Sequence, residues 1–197
     1  MNWKQNAFIC VIGVMIGLAL PLWPQYLDWE KQYAGPSNSN DQSKAVAIDR
    51  YNNVCVTGWS DNDMVTIAYH PNGDVAWLDN FSGTSDMDHG VDIAADLTGN
   101  VYVTGCSRHP SYNWDYVTVK YNALGQVQWY QYCDDGGGEY AVALTVDADG
   151  NVYITGQSNS QGGDDYLTLG YSPVGDELWN QPVHYNNGGA DVPTAIT

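Results

Sequence analysis

A stretch of seven residues occurs three times in this chain, at intervals of about fifty residues. GNVYVTG at 99–105 returns as GNVYITG at 150–156, and the related NNVCVTG stands at 52–58. Val, Tyr and Thr favour strands, and the Gly and Asn residues at the ends are typical of tight turns. A chain that repeats one strand-and-turn unit is expected to fold as copies of one small element, stacked side by side.

The similarity between the copies extends over four candidate strands. Each copy holds a short apolar run, a turn such as DADGN, the VYVTG strand, a third strand, and a last strand that carries a tryptophan. In the third strand of the second copy, Val117, Val119 and Tyr121 recur with the period of two that a strand requires. A period near 50 with four strands predicts an all-β fold, a β-propeller segment built from four-stranded antiparallel blades.

The repeats fall short of a closed propeller, which needs four to eight blades. WEKQYAG at 29–35 looks like the end of one more copy. We therefore expect a ring that this chain does not close by itself. A fragment of a longer propeller is the main expectation, and self-association of several chains is the alternative. The predicted repeat region spans 28–197, with units at about 41–88, 89–139 and 140–190 and the start of a further unit at 191–197.

Residues 1–27 do not belong to the repeats. MNWKQ carries one positive charge, and the uncharged apolar run AFICVIGVMIGLAL follows it. This pattern predicts a secretory signal peptide, and an uncleaved membrane anchor is the alternative because the apolar run is near the lower length limit of a span. In either case we expect the repeats outside the cytoplasm, as a secreted, periplasmic or cell-surface protein that meets the membrane only through this segment.

The net charge is −17, and no Lys or Arg follows Lys120. Such a surface repels phosphate backbones, which argues against a nucleic-acid partner, and it is compatible with cations, neutral sugars or basic protein patches. Cys55, Cys106 and Cys133 fall at different places in the repeat. They predict neither a disulfide framework nor a metal site.

The second and third copies resemble the SBBP-type β-propeller repeat. The strings that carry the resemblance are DLTGNVYVTGCS and DYVTVKYNALGQVQW, and the first copy departs from them at Asn52, Cys55 and Ala68. The resemblance covers the chain from about residue 29 to its end. It implies a propeller fold and an exported location, chiefly in bacteria and commonly beside other domains. It implies no shared catalytic residue.

The longer connections of the predicted propeller lie on one face, where recognition by a rigid scaffold is usually found. The longest, SRHPSYNW at 107–114, offers Arg108, His109, Tyr112 and Trp114. We predict these four side chains as a platform for a protein or glycan. A loop that only covers apolar surface is the alternative.

Acidic residues recur near the same face in every repeat. Asp88 and Glu139 begin their repeats, and Asp63, Asp115 and Asp165 precede the third strands. A ring of carboxylates can hold Ca²⁺, which prefers several oxygen ligands. A residue present once per blade more often accepts backbone N–H bonds that hold the blade together. We expect no cofactor or metal, with Ca²⁺ as the open possibility.

The four histidines predict no catalytic arrangement, because no Ser-His-Asp order, zinc spacing or phosphate-binding loop includes them. We therefore expect a non-enzymatic exported module that presents propeller loops to a protein or glycan. One alternative is a fragment of a carbohydrate-active enzyme, a glycosidase or lyase, whose site needs further blades. Another is a structural surface module stabilised by calcium. The histidines are His70, His89, His109 and His184.

Overall fold

The computed structural model describes residues 29–37, 40–83, 87–108, 113–179, 182–186 and 188–197. The regular elements in these ranges are β-strands, and none of the described residues forms a helix that could span a membrane. The first sheet contains β1 (Gln42–Ile48), β2 (Val54–Ser60), β3 (Asp63–Tyr69) and β4 (Val75–Phe81). The second contains β5 (Asp88–Ala95), β6 (Val101–Arg108), β7 (Trp114–Tyr121) and β8 (Val127–Cys133). The third contains β9 (Glu139–Val146), β10 (Val152–Ser158), β11 (Asp165–Tyr171) and β12 (Val183–Tyr185).

The three sheets are consecutive blades of a β-propeller. Within each sheet the strands pair in sequence order, and all pairs are antiparallel. The first strand of each later sheet packs across the sheet before it: β5 contacts β1, β2 and β3, and β9 contacts β5, β6 and β7. The predicted fold class is therefore confirmed. Three blades are fewer than the smallest closed ring requires, so the segment is open.

The connections alternate between the two ends of the blades because the strands run alternately up and down. The tight turns between the first and second strands and between the third and fourth strands share one end, which we call the turn face. The connections that follow β2, β4, β6, β8 and β10 share the opposite end, which we call the loop face. Odd-numbered strands therefore begin at the loop face, and even-numbered strands end there.

An aspartate closes the turn between the first two strands of each blade. Asp96 Oδ1 accepts the N–H groups of Thr98 at 2.8 Å and Asn100 at 2.9 Å, and Asp96 Oδ2 accepts the Asn100 side-chain amide at 2.7 Å. Asp49 and Asp147 form the equivalent bonds in their own blades. These bonds explain why the repeat places an aspartate before each turn.

The turns also confirm the predicted use of glycine and asparagine. Gly99 and Gly150 adopt φ values of 94° and 83°, in the left-handed region that glycine enters without steric cost. In blade 1 this position is occupied by Asn52, which takes a φ of 61°. Asparagine tolerates that region better than most residues, so the first turn keeps the same shape without glycine.

We expect Asp96→Ala to lower the free energy of unfolding by about 2 kcal/mol, because several hydrogen bonds to a charged acceptor are lost. Burial raises the pKa of Asp96, but the bonds from Asn100 and Thr98 outweigh it and hold the pKa below its ordinary value. A depressed folded-state pKa stabilises the fold above the unfolded-state pKa, and this stability disappears as the pH falls through the folded-state value. Urea unfolding should therefore show the deficit at pH 7 and a smaller one below about pH 4.

Asp149→Ala is the matched control for Asp96→Ala, because Asp149 is an exposed residue of the equivalent turn in blade 3. Its replacement should change the free energy of unfolding by less than about 0.5 kcal/mol. A deficit for Asp96→Ala that is the same at both pH values would contradict a role for the ionised carboxylate.

Apolar side chains join the blades face to face. Between blades 1 and 2, buried Cys55, Met64 and Ala68 belong to the same cluster as Val103 and Val117. A second apolar layer lies between blades 2 and 3; its buried members include Tyr102, Cys106, Tyr116, Leu144, Ile154 and Leu167. The thiols of Cys55, Cys106 and Cys133 are free. The two buried thiols therefore serve as small apolar groups.

The tryptophan near the end of each repeat packs on a tight turn of the next blade. The contacts pair Trp29 with Gly73, Trp77 with Gly125, and Trp129 with Gly175. The indole N–H groups of Trp29 and Trp129 also donate to the carbonyls of Pro71 and Pro173, at 3.0 and 3.1 Å. Trp179, at the equivalent position in blade 3, is 38% exposed.

Candidate functional site

A row of aromatic side chains crosses the loop face from blade 1 to blade 3. The Trp59 ring stacks on His89 with centroids 4.5 Å apart, and His89 lies 5.2 Å from Trp114. Trp114 in turn lies 6.3 Å from Tyr140. We call these four residues the aromatic row. The ammonium group of Lys44 lies 4.6 Å from the centre of the Trp59 ring and ends the row on the blade 1 side.

The strand ends place all four rings at the same end of the blades. Trp59 is the last residue but one of β2, which ends at the loop face. Trp114 is the first residue of β7, and His89 and Tyr140 are the second residues of β5 and β9. Because β5 and β9 pack across the preceding blades, their first residues lie next to those blades. The four rings therefore come together because neighbouring blades pack against each other, and no single strand supplies the row.

The row is only partly buried. Trp59, His89 and Trp114 are half-buried, and Tyr140 is 42% exposed. Burial lowers the pKa of His89, and Lys44 lowers it further, while Asp88 acts in the opposite direction. The imidazole is therefore neutral at pH 7. The result is a series of neighbouring aromatic rings, tilted or stacked on one another, with hydrogen-bonding groups at the ring edges and one charged group, Lys44, beside Trp59.

The structure places two of the four predicted loop residues. Trp114 belongs to the aromatic row, and Arg108 is the last residue of β6, paired in register with Trp114. The Arg108 guanidinium lies 4.0 Å from the sulfur of Met87. His109 and Tyr112 fall outside the described residues, so the predicted platform of four side chains remains a prediction.

The acidic residue that begins each blade binds the preceding connection. Asp88 Oδ2 accepts the N–H of Gly83 at 2.9 Å, and Glu139 Oε1 accepts the N–H of Gly137 at 3.1 Å. Asp41 makes the equivalent contact in blade 1. Asp88 and Glu139 are fully buried. Both carboxylates thus lie beneath the loop face, where they fix the chain between two blades.

A second set of acids lies where the third strands start, at the loop face: Asp63 and Asp165 are the first residues of β3 and β11, and Asp115 is the second residue of β7. Asp115 and Asp165 are buried, and Asp63 is partly exposed. Burial raises the pKa of Asp63, and Asp88 raises it further. Burial likewise raises the pKa of Glu139; hydrogen bonds oppose the rise, and Asp115 adds to it. Asp63 therefore lies near Asp88 at the junction of blades 1 and 2, and Asp115 lies near Glu139 at the junction of blades 2 and 3.

A histidine and two polar residues meet near the same junction of blades 2 and 3. His184 Nε2 lies 2.9 Å from Asp135 Oδ2, and the same oxygen accepts the Ser160 hydroxyl at 2.5 Å. The carboxylate therefore stands between the imidazole and the hydroxyl. In a hydrolase triad the histidine contacts the hydroxyl directly, so this geometry is not that of an activated serine.

Three members of the aromatic row were not predicted as site residues. Trp59, His89 and Tyr140 each stand next to a residue that recurs in every repeat, namely Ser60, Asp88 and Glu139. Trp59 stands where the other copies carry Cys106 and Gln157, whereas His89 and Tyr140 occupy the same position in the second and third copies.

The comparisons with known proteins add little to this geometry. Neither the protein-family models nor the curated proteins give a match to this chain. Among solved structures, a quinonprotein alcohol dehydrogenase-like protein from Bacteroides thetaiotaomicron is similar, with a TM-score of 0.47 and 17% identity. The match covers 77% of this chain and 35% of that protein, so this chain spans about a third of its length.

Proposed function

We propose that this propeller segment binds glycans at its loop face through the aromatic row. The observation that supports the proposal is the row itself, four neighbouring and partly exposed aromatic side chains that cross three blades. Flat apolar ring faces suit the C–H faces of sugar rings, and the indole and phenol edges supply hydrogen bonds to hydroxyl groups. The β-strands hold the rings rigidly, which limits the ordering cost of binding.

The length and charge of the surface narrow the glycan class. A row that spans three blades fits an extended chain of several sugars better than a single sugar. The protein carries a net charge of −17, which disfavours polysaccharides rich in carboxylate or sulfate. We therefore propose neutral polysaccharides as the ligands.

The proposed setting of this binding is outside the cytoplasm. The resemblance of the repeats to the SBBP type supports an exported, cell-surface or periplasmic role. The sequence of residues 1–27, which lie outside the described part of the chain, supports it as well. In this setting the segment acts as a binding module without catalysis of its own.

Trp114→Ala should weaken binding to a neutral polysaccharide by about tenfold to a hundredfold, because a central aromatic anchor of the site is lost. Affinity electrophoresis and calorimetry on a panel of neutral polysaccharides measure the effect. Trp179→Ala is the matched control, since Trp179 is an exposed tryptophan near the turn face. Equal affinities for the two variants would contradict the proposal.

The same panel separates a binding module from the alternative of a carbohydrate-active enzyme. We expect binding without the release of reducing ends or unsaturated sugars. Asp135 is an acid outside the repeat pattern. Cleavage by the wild-type protein that disappears in Asp135→Asn would show that the protein is an enzyme and not only a binding module.

A further inference from the structure

We propose that the junction of blades 2 and 3 binds a Ca²⁺ ion through the carboxylates of Asp115, Asp134 and Glu139. One carboxylate oxygen from each residue lies within 4.8 Å of the other two. The three residues come from different elements: Asp115 is the second residue of β7, Glu139 is the first residue of β9, and Asp134 lies in the connection between β8 and β9. The inference does not depend on glycan binding.

One buried carboxylate oxygen of Glu139 lacks a hydrogen-bond partner in the described part of the chain, which indicates that a bound cation could occupy the space beside it. Glu139 Oε1 accepts the N–H of Gly137 at 3.1 Å and the hydroxyl of Ser158 at 3.1 Å. Glu139 Oε2 is also buried and has no hydrogen-bond partner among the described residues. A buried acceptor without a partner is costly, and a bound cation would satisfy it.

The charge of the cluster favours a cation. Asp115 and Glu139 are 3% and 0% exposed, so two carboxylates are held together away from water. No Lys or Arg follows Lys120, so the segment that carries Asp134 and Glu139 contains neither of these cations. A divalent ion would remove the repulsion between these carboxylates, which otherwise opposes folding.

The donor set and its spacing suit calcium. Ca²⁺ binds oxygen ligands at about 2.3–2.6 Å, so two ligands on opposite sides of the ion are about 5 Å apart. Oxygens within 4.8 Å of one another can therefore surround one such ion. The cluster offers carboxylates without thiolate or imidazole ligands, a set that favours calcium or magnesium over zinc. Water and backbone carbonyls would complete the coordination.

The site can be tested by removing Ca²⁺ with a chelator, adding it back, and measuring the Tm in both states. After chelation, Ca²⁺ at about 100 times its Kd should raise the Tm by about 5–10 °C. Asp134→Asn should weaken Ca²⁺ binding at least tenfold and greatly reduce this rise. Asp134 is exposed, so this variant is expected to fold. Asp149→Asn removes the same charge from an exposed turn on the opposite face and should keep the full response.

Terbium luminescence supplies a second measurement. Trp114 directly precedes Asp115, so Tb³⁺ in the site should emit on tryptophan excitation, and Ca²⁺ should displace it. Asp134→Asn should lose most of this emission. A Tm that does not respond to Ca²⁺ would overturn the proposal and indicate that the carboxylates share a proton. An equal calcium response in wild type and Asp134→Asn would also overturn it.

Discussion

Gly105→Ala should lower the free energy of unfolding by about 4 kcal/mol or more, enough to leave little folded protein. A Cβ atom at Gly105 would lie 1.9 Å from the carbonyl oxygen of His89. That oxygen belongs to the backbone of β5, so no side-chain rotation relieves the clash. The sheet itself would have to move, which costs more than repacking a side chain.

The clash follows from a feature present in all three blades. The first strand of each blade has a register shift beside the residue that pairs with this glycine, and the bulge brings two backbones close together. A Cβ at Gly58 or Gly156 would meet the carbonyl oxygen of Gln42 at 1.8 Å or of Tyr140 at 2.1 Å. This close approach explains why each copy of the seven-residue sequence ends in glycine.

Urea unfolding followed by circular dichroism measures the effect. Gly189→Ala is the matched control, because a Cβ at Gly189 would meet nothing within 4 Å. It should change the free energy of unfolding by less than about 0.5 kcal/mol. If Gly105→Ala unfolds at the same urea concentration as Gly189→Ala, the close approach of the β5 and β6 backbones described above is wrong.

Trp77→Ala should lower the free energy of unfolding by about 3–5 kcal/mol. Trp77 is 9% exposed, packs against Gly125 of the next blade, and stacks on Tyr121 with centroids 5.4 Å apart. Its loss would leave a cavity between blades 1 and 2 that the rigid sheets cannot fill. The two blades would then be less firmly joined.

Trp179→Ala is the informative control, because Trp179 occupies the same position in the repeat. It is 38% exposed, and its ring centroid lies 6.0 Å from that of Tyr153 in its own blade. We expect its replacement to cost about 1 kcal/mol. Equal losses for the two variants would show that the tryptophan acts within its own blade and does not join neighbouring blades.

The sequence predicted the blades because each repeated residue meets the same physical demand in every copy. Asp96 and Asp147 close equivalent turns, and Gly99 and Gly150 supply the same backbone conformation. Alternation in the third strand placed Val117 and Val119 on one face, and both are buried between blades. Each of these requirements involves residues that are close together in the sequence. Residue type and spacing were therefore enough to predict them, without knowing how the blades pack.

The aromatic row was harder to predict because its rings come from different positions of the repeat and meet only where blades pack together. Trp59 is replaced by Cys106 and Gln157 in the other copies, so the repeat gives no sign of its role. The contact between Trp59 and His89 arises where β5 crosses blade 1. The distance between their rings depends on how two blades pack, so it cannot be predicted from the separation of the two residues in the sequence. Only Trp114 was identified as a site residue in advance.

The most direct test of the proposed function is a crystal structure of the chain with a neutral oligosaccharide that it binds. We predict sugar rings stacked on Trp114 and Tyr140 at the loop face, with further units extending towards Trp59. Sugar bound at the turn face or at the outer edge of a blade, with the aromatic row empty, would contradict the proposed site.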